Sequence, residues 1–266
     1  PYKDALGKPL LTPADCAGAS HYWVCIDPTV FIDDDGQAWL FWGNGKCHAV
    51  RLKRNMTETE GEIMPIDFDG FTFEEAPWIH KYNGKYYLTY ASYMPERIDY
   101  AMADRIEGPY EYQGILCNET GNSTSIHPGI AEFKGQWYFF YHNGALGGND
   151  ARSVCVEPFR YNSDGTIERI RQTGQTNQAS NPLIYADVPD VSITRAGNTY
   201  YMSTTSNHMT PGVPVLQSDD LTGWRIVRYC YDRLEESDAM NLSNRKNAYG
   251  NGTWASSIRY HDGRYY

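Results

Sequence analysis

The pattern of apolar and polar positions along this chain repeats one phrase five times: an apolar approach, a turn closed by glycine, then a run of aromatic, strand-forming residues. It reads F-I-D-D-D-G-Q-A-W-L-F-W around Gly36, I-H-K-Y-N-G-K-Y-Y-L-T-Y around Gly84 and A-E-F-K-G-Q-W-Y-F-F-Y around Gly135. It returns as I-T-R-A-G-N-T-Y-Y-M-S around Gly197 and I-R-Y-H-D-G-R-Y-Y around Gly263. Each phrase predicts a hairpin. Asp35-Gly36, Asn83-Gly84 and Asp262-Gly263 supply the positive φ of tight two-residue turns. The residues that follow, such as Tyr86, Tyr87, Leu88 and Tyr90, suit a half-buried pleated face. The turn glycines stand 48, 51, 62 and 66 residues apart, a period of propeller-blade size. A β-sandwich with aromatic strands is the competing architecture, but its turns recur every ~8–12 residues. The expected fold is all-β: a five-bladed β-propeller with blades of antiparallel sheet, incomplete because the last phrase breaks off at Tyr265-Tyr266.

Composition narrows the class of partner. The 22 tyrosines and 7 tryptophans agree with aromatic strands, and there is no long amphipathic helical stretch. No apolar run is longer than the five residues of Trp137 to Tyr141, far short of the ~20 residues that cross a bilayer. A net charge of -10 repels phosphate backbones and anionic lipid, so neither nucleic acid nor membrane is an expected partner. Cys16, Cys25, Cys47, Cys117, Cys155 and Cys230 show no C-x-x-C pair and no metal-ligand spacing, and read as small buried hydrophobes. Sequons at Asn55, Asn118, Asn122, Asn241 and Asn251 matter only for a eukaryotic secretory source.

Candidate chemistry comes from acids at strand entries, because glycosidic bonds are cut by positioned carboxylates and propeller loops converge on a central cavity. Asp27 precedes a proline in C-I-D-P-T-V-F, Glu75 stands in F-E-E-A-P-W-I-H, and Asp187 and Asp190 bracket a proline in Y-A-D-V-P-D-V-S. Ordinary turn chemistry accounts for each acid taken alone. Trp78 offers a flat face to a sugar ring, or packs. Asp33, Asp34 and Asp35 form an acidic run at a hairpin tip without the further ligands of a calcium loop, and read as a solvated turn.

Taken together, I-D-P-T-V-F-I-D-D-D-G-Q-A-W, E-E-A-P-W-I-H-K, R-S-V-C-V and Y-A-D-V-P-D-V-S resemble glycoside hydrolase family 43, five-bladed propellers acting on arabinose- and xylose-containing plant polysaccharides. The resembling segments span nearly the whole chain. The resemblance implies an inverting mechanism with three acids: Glu75 as general acid, Asp27 as the residue that tunes and orients it, and Asp190 as general base. Val191 stands where the family has proline, which leaves Asp187 as a competitor for the base. Arg152 looks like the family's cavity arginine, with a surface ion pair as the alternative. His127 looks like its axial histidine near a bound ion or water, with a satisfied core histidine as the alternative. Trp254 looks like a cavity aromatic, with core packing as the alternative. No cofactor is implied as required, though a structural calcium or other ion near His127 is compatible. The implied partner is a plant cell-wall polysaccharide or oligosaccharide, with appended carbohydrate-binding or catalytic modules. The implied location is extracellular or periplasmic. A carbohydrate-binding propeller that has lost catalysis is the alternative function, and a bare scaffold for protein partners comes third.

The order of the motifs departs from the family. There the base opens the domain, whereas here Asp27 and Glu75 precede Asp190. Either residues 1–176 are the later blades of one module and 181–266 the opening blades of a second, or one propeller has been circularly permuted. The polar join Gln172–Ser180 suits a linker. The tandem reading is preferred, because the chain starts and ends inside blades. On that reading it should be incompletely closed, prone to aggregate and without appreciable glycosidase activity by itself.

Overall fold

In a computed structural model of the chain, residues 5–16, 18, 21–148, 150–173, 181–207, 210–233 and 237–266 are described. Most of the join, residues 174–180, therefore lies outside the described residues, as do Pro1 to Asp4. The described secondary structure is strand apart from one 3-10 turn, Pro13–Asp15. No helix among the described residues is long and apolar enough to cross a membrane. Contacts divide the chain into two compact units, one of Lys3–Glu119 with Phe159–Arg171, the other chiefly of Thr120–Pro158 with Gln172–Tyr266.

The first unit holds two four-stranded antiparallel sheets in meander order: β1 (Thr29–Ile32), β2 (Ala38–Trp42), β3 (Cys47–Leu52) and β4 (Thr59–Ile66), then β5 (Glu75–Tyr82), β6 (Lys85–Ser92), β7 (Arg97–Ala103) and β8 (Glu111–Cys117). Strand β2 is buried along its whole length, and its period-two alternation feeds two cores. Trp39 and Phe41 pack with Ile79, Leu88 and Tyr90 of the second sheet. Ala38, Leu40 and Trp42 pack on the opposite side with Val50, Cys16 and Val24. Each large side chain so buried contributes about 1.5–3 kcal/mol. The returning segment 159–171 adds to the second sheet. Tyr161 stacks on Tyr82 at 3.7 Å between ring centroids, and Ile170 pairs with Cys117.

The second unit holds a three-stranded sheet of β9 (Gly129–Phe133), β10 (Gln136–Gly148) and β11 (Ala151–Phe159). It also holds a four-stranded one of β12 (Ser192–Ala196), β13 (Thr199–Ser203), β14 (Gly212–Ser218) and β15 (Arg225–Tyr231). Its core joins Phe140, Val154 and Val156 to Val191, Ile193, Tyr200, Met202 and Leu216. A short hairpin, β16 (Tyr260–His261) with β17 (Arg264–Tyr265), completes the described strands.

All five glycine phrases are hairpins, and each opens its sheet. The sheets are antiparallel blades of the β-propeller class; three have four strands, one has three and one has two. At Asn83-Gly84 and Asp262-Gly263 both turn residues have positive φ, the geometry that matches strand twist. The turn at Gly36 differs from expectation. Five residues separate β1 from β2, with Gly36 N–H donating to the Asp33 carbonyl at 2.9 Å and Asp33 N–H to the Gln37 carbonyl at 2.9 Å. It is a type I turn closed by a left-handed glycine, not a two-residue turn.

Candidate active site

In the first unit, a bulge aims Glu75. It pairs with Ala91, but the ladder resumes only at Trp78 and Thr89, so Ala76 and Pro77 lie outside the register. Ala76 has φ 53, strain of the kind a bulge stores where it redirects a side chain. Asp27 sits at the entry of β1, 9% exposed and with φ 54, which Asp tolerates better than most residues. The carboxylate oxygens of Asp27 and Glu75 approach within 4.8 Å.

A glycine-flanked loop after β2 holds both acid-bearing segments. Gly43 N–H donates to the Ile26 carbonyl at 3.0 Å, beside Asp27, and Gly45 N–H to the Glu74 carbonyl at 2.7 Å. Between them Asn44 Nδ2 donates to Glu75 Oε2 at 2.9 Å. Gly43 cannot be replaced freely: it has φ 143, and a Cβ there would stand 1.9 Å from the Lys46 carbonyl oxygen. Burial, with the Glu75 charge beside it, raises the Glu74 carboxyl above its ordinary value. Trp78 is 6% exposed and packed within β5.

In the second unit, Asp190 is the centre of a charged cluster. It is 3% exposed, has φ 56, and precedes β12. Its Oδ1 lies 3.3 Å from Arg152 Nη1, 3.3 Å from His127 Nδ1 and 3.5 Å from His142 Nδ1. Its Oδ2 accepts from the Thr205 hydroxyl at 2.6 Å and from Arg152 Nη2 at 3.4 Å. Burial opposes the Asp190 charge, but the Arg152 guanidinium, the two imidazoles and the Thr205 hydroxyl outweigh it and hold the carboxyl well below the usual range. The same neighbours that keep it ionised lower its proton affinity.

Arg152 is held in turn: Nη1 donates to Ser125 Oγ at 2.8 Å, and the guanidinium carbon stands 5.9 Å from the Trp254 ring centroid. Trp254 is 45% exposed. Its segment is fixed where Gly252 N–H donates to the Asn207 carbonyl at 2.8 Å. Burial, then the Arg152 charge, push His142 well below its ordinary value. Asp187 stands apart from this cluster, accepting the Arg152 backbone N–H at 3.4 Å.

The first unit thus brings Asp27 and Glu75 together, and the second brings Asp190, Arg152, His127 and Trp254 together. Asn44, His142, Ser125 and Thr205 were not singled out in the sequence. For Asn44 the legible signal is its place between two glycines. For His142 it is a lone histidine interrupting the aromatic run of β10.

The acidic run at Gly36 divides by residue. Asp34 is exposed, but the Asp33 side chain is 14% exposed and pairs with Lys81 Nζ at 2.8 Å. It also accepts from the Tyr86 hydroxyl at 2.5 Å. Burial opposes its charge, yet the Lys81 and Tyr86 hydrogen bonds lower its carboxyl overall. It ties the first two hairpins together.

The sequence profile of Glycosyl hydrolases family 43 matches residues 9–167 and 179–266. The chain is 30% identical over 205 residues to an arabinoxylan arabinofuranohydrolase of Bacillus subtilis (strain 168), covering 64% of this chain and 39% of that protein. Among solved structures it matches an alpha-L-arabinofuranosidase from Clostridium thermocellum ATCC 27405 at 34% identity and TM-score 0.53, covering 64% of this chain and 61% of that one. It also matches a beta-xylosidase/alpha-arabinofuranosidase from a compost microbial metagenome, solved with xylotriose in calcium-free form. There the identity is 30% and the TM-score 0.52, over 55% of this chain and 58% of that one. The chain spans about half the length of the curated relatives it matches.

Proposed function

The chain belongs to glycosyl hydrolases family 43, and on that premise we propose that the protein carrying it releases arabinose or xylose units from hemicellulose by an inverting acid–base mechanism. The observation that carries this reading is the pair of carboxylates in the first unit: Glu75, aimed by a bulge and held by Asn44, with Asp27 within 4.8 Å. A negative Asp27 at that range favours the protonated form of Glu75, which a general acid needs in order to give its proton to the leaving glycosidic oxygen. Asp190, kept ionised by Arg152, takes the base role, on the tandem reading that of a second module: it accepts a proton from the water that attacks the anomeric carbon there. Trp254 gives the sugar an apolar face to stack on, and Arg152 beside it gives hydroxyls a donor.

Hydrolysis of an acetal needs no redox or organic cofactor, and His127 is the residue that would face a calcium or other ion. Relatives of the chain are named for arabinoxylan and xyloside hydrolysis, and one is solved with xylotriose. Those names support a plant cell-wall polysaccharide or oligosaccharide as substrate. Such a polymer is met outside the cytoplasmic membrane, which favours an extracellular or periplasmic site of action. For the motif order we favour tandem modules, 1–176 and 181–266, over permutation. If so, Glu75→Gln and Asp190→Asn in the full-length protein each remove part of the activity and their losses add; in a permuted propeller each removes all of it.

The test is hydrolysis of xylotriose and of aryl arabinofuranosides by the full-length protein, followed by proton NMR of the sugar first released. Inversion of the anomeric configuration is expected. Retention contradicts the mechanism, and binding without turnover indicates a carbohydrate-binding propeller instead.

A further inference from the structure

Cys16 and Cys25 lie nine positions apart in the chain, and their Sγ atoms stand 3.2 Å from each other. Cys16 is buried at 4% exposure and fixed: its thiol donates to the Thr12 carbonyl at 3.7 Å, and its sulfur accepts the Trp42 indole N–H at 3.4 Å. Cys25 is half-buried and so open to a small reagent. Two residues on comes Asp27, in the segment that Gly43 N–H anchors through the Ile26 carbonyl.

We propose that Cys16 and Cys25 are a disulfide-forming pair that closes in an oxidising environment and covalently fixes the segment leading into Asp27. About 1 Å of further approach reaches the ~2.05 Å bond. The oxidant is a low-molecular-weight disulfide, R–S–S–R. The Cys25 thiolate attacks one of its sulfurs, forming a mixed disulfide and releasing R–S⁻. The Cys16 thiolate then attacks Cys25 Sγ, closing the bond and releasing the second R–S⁻. The two protons lost by the cysteines end on the two released thiolates; the cysteines are oxidised by two electrons and the reagent is reduced by two. Burial and the adjoining Cys16 thiol push the Cys25 thiol up to about 12, so the first step is slow. An extracellular or periplasmic protein has the time and the redox environment for it.

The test uses the folded chain incubated with oxidised glutathione or with a reductant, then denatured, alkylated with iodoacetamide and digested with trypsin. Both cysteines fall in the tryptic peptide that ends at Lys46. After oxidation this peptide is expected to be lighter by two hydrogens and to take no alkyl group; after reduction it takes two. In Cys16→Ser, Cys25 is expected to take one glutathione, as a mixed disulfide with no partner to resolve it, or one alkyl group, and the two-hydrogen loss disappears. The proposal is overturned if the oxidised wild-type peptide still takes two alkyl groups or carries two glutathiones. It is equally overturned if Cys25 of Cys16→Ser takes neither a glutathione nor an alkyl group, or if the two-hydrogen loss occurs only in urea-unfolded protein.

Discussion

Asn44 Nδ2 donates to Glu75 Oε2 at 2.9 Å, so a residue of the β2–β3 loop fixes an acid on the first strand of the next sheet. A hydrogen bond to a charged or charge-bearing group is worth about 1.5–3 kcal/mol. Asn44→Ala is expected to lower kcat/KM of the module that holds Glu75 about tenfold or more, with little change in the thermal midpoint. Asn44→Asp places a negative charge at the same distance and is expected to move the alkaline limb of the pH–rate profile upward. An unmoved limb would remove Asn44 from the site.

Gly43→Ala tests the loop itself. Its φ of 143 and the 1.9 Å approach to the Lys46 carbonyl leave no place for a Cβ. The expected cost is at least the ~1–3 kcal/mol of a strained backbone position, read as a lowered urea midpoint. Gly36→Ala, at an open position with nothing within 4 Å, should cost less.

Asp190 and Arg152 form a buried pair whose halves are unequal to lose. Asp190→Asn leaves the guanidinium without its counter-charge and is expected to destabilise by about 3–5 kcal/mol in denaturant titration. In wild type the Asp190 carboxyl lies below its unfolded value. Its contribution is therefore present above the unfolded value of ~3.9 and is withdrawn as pH falls toward the folded one. Asp190→Asn should lose stability at neutral pH and flatten that acid limb.

His80 has the opposite sign. Burial lowers it from 6.5 to about 3, so between those values the unfolded chain takes a proton that the folded chain refuses. Stability should fall as pH drops below about 6.5. His80→Gln, which has no such proton to take, should show a shallower decline in urea midpoint between neutral pH and pH ~4. Parallel declines would show that the histidine is not responsible.

The hairpins were legible because turn chemistry and aromatic strands are local properties: Asn83-Gly84 needs only its own φ angles to mark a turn. Asp33 was not, because its partners Lys81 and Tyr86 come from a hairpin some fifty positions away, and nothing local separates it from the exposed Asp34. The acids Asp27, Glu75 and Asp190 were found by motif, but their supports were not. His142 reaches Asp190 from the middle of a strand, and Thr205 reaches it from beyond the next hairpin. Likewise Cys16 and Cys25 read as inert core residues until their sulfurs were seen to face each other.

The central claim is that Glu75 protonates the leaving oxygen, and leaving-group dependence tests it most directly. In the full-length protein, kcat/KM of Glu75→Gln is compared with wild type on xylotriose, whose sugar leaving group needs a proton, and on a dinitrophenyl xyloside, whose leaving group does not. With the second module silenced by Asp190→Asn in both proteins compared, the account predicts a loss of about 10²–10⁴-fold on xylotriose and a much smaller loss on the activated substrate. An equal loss on both, or none on either, would contradict it.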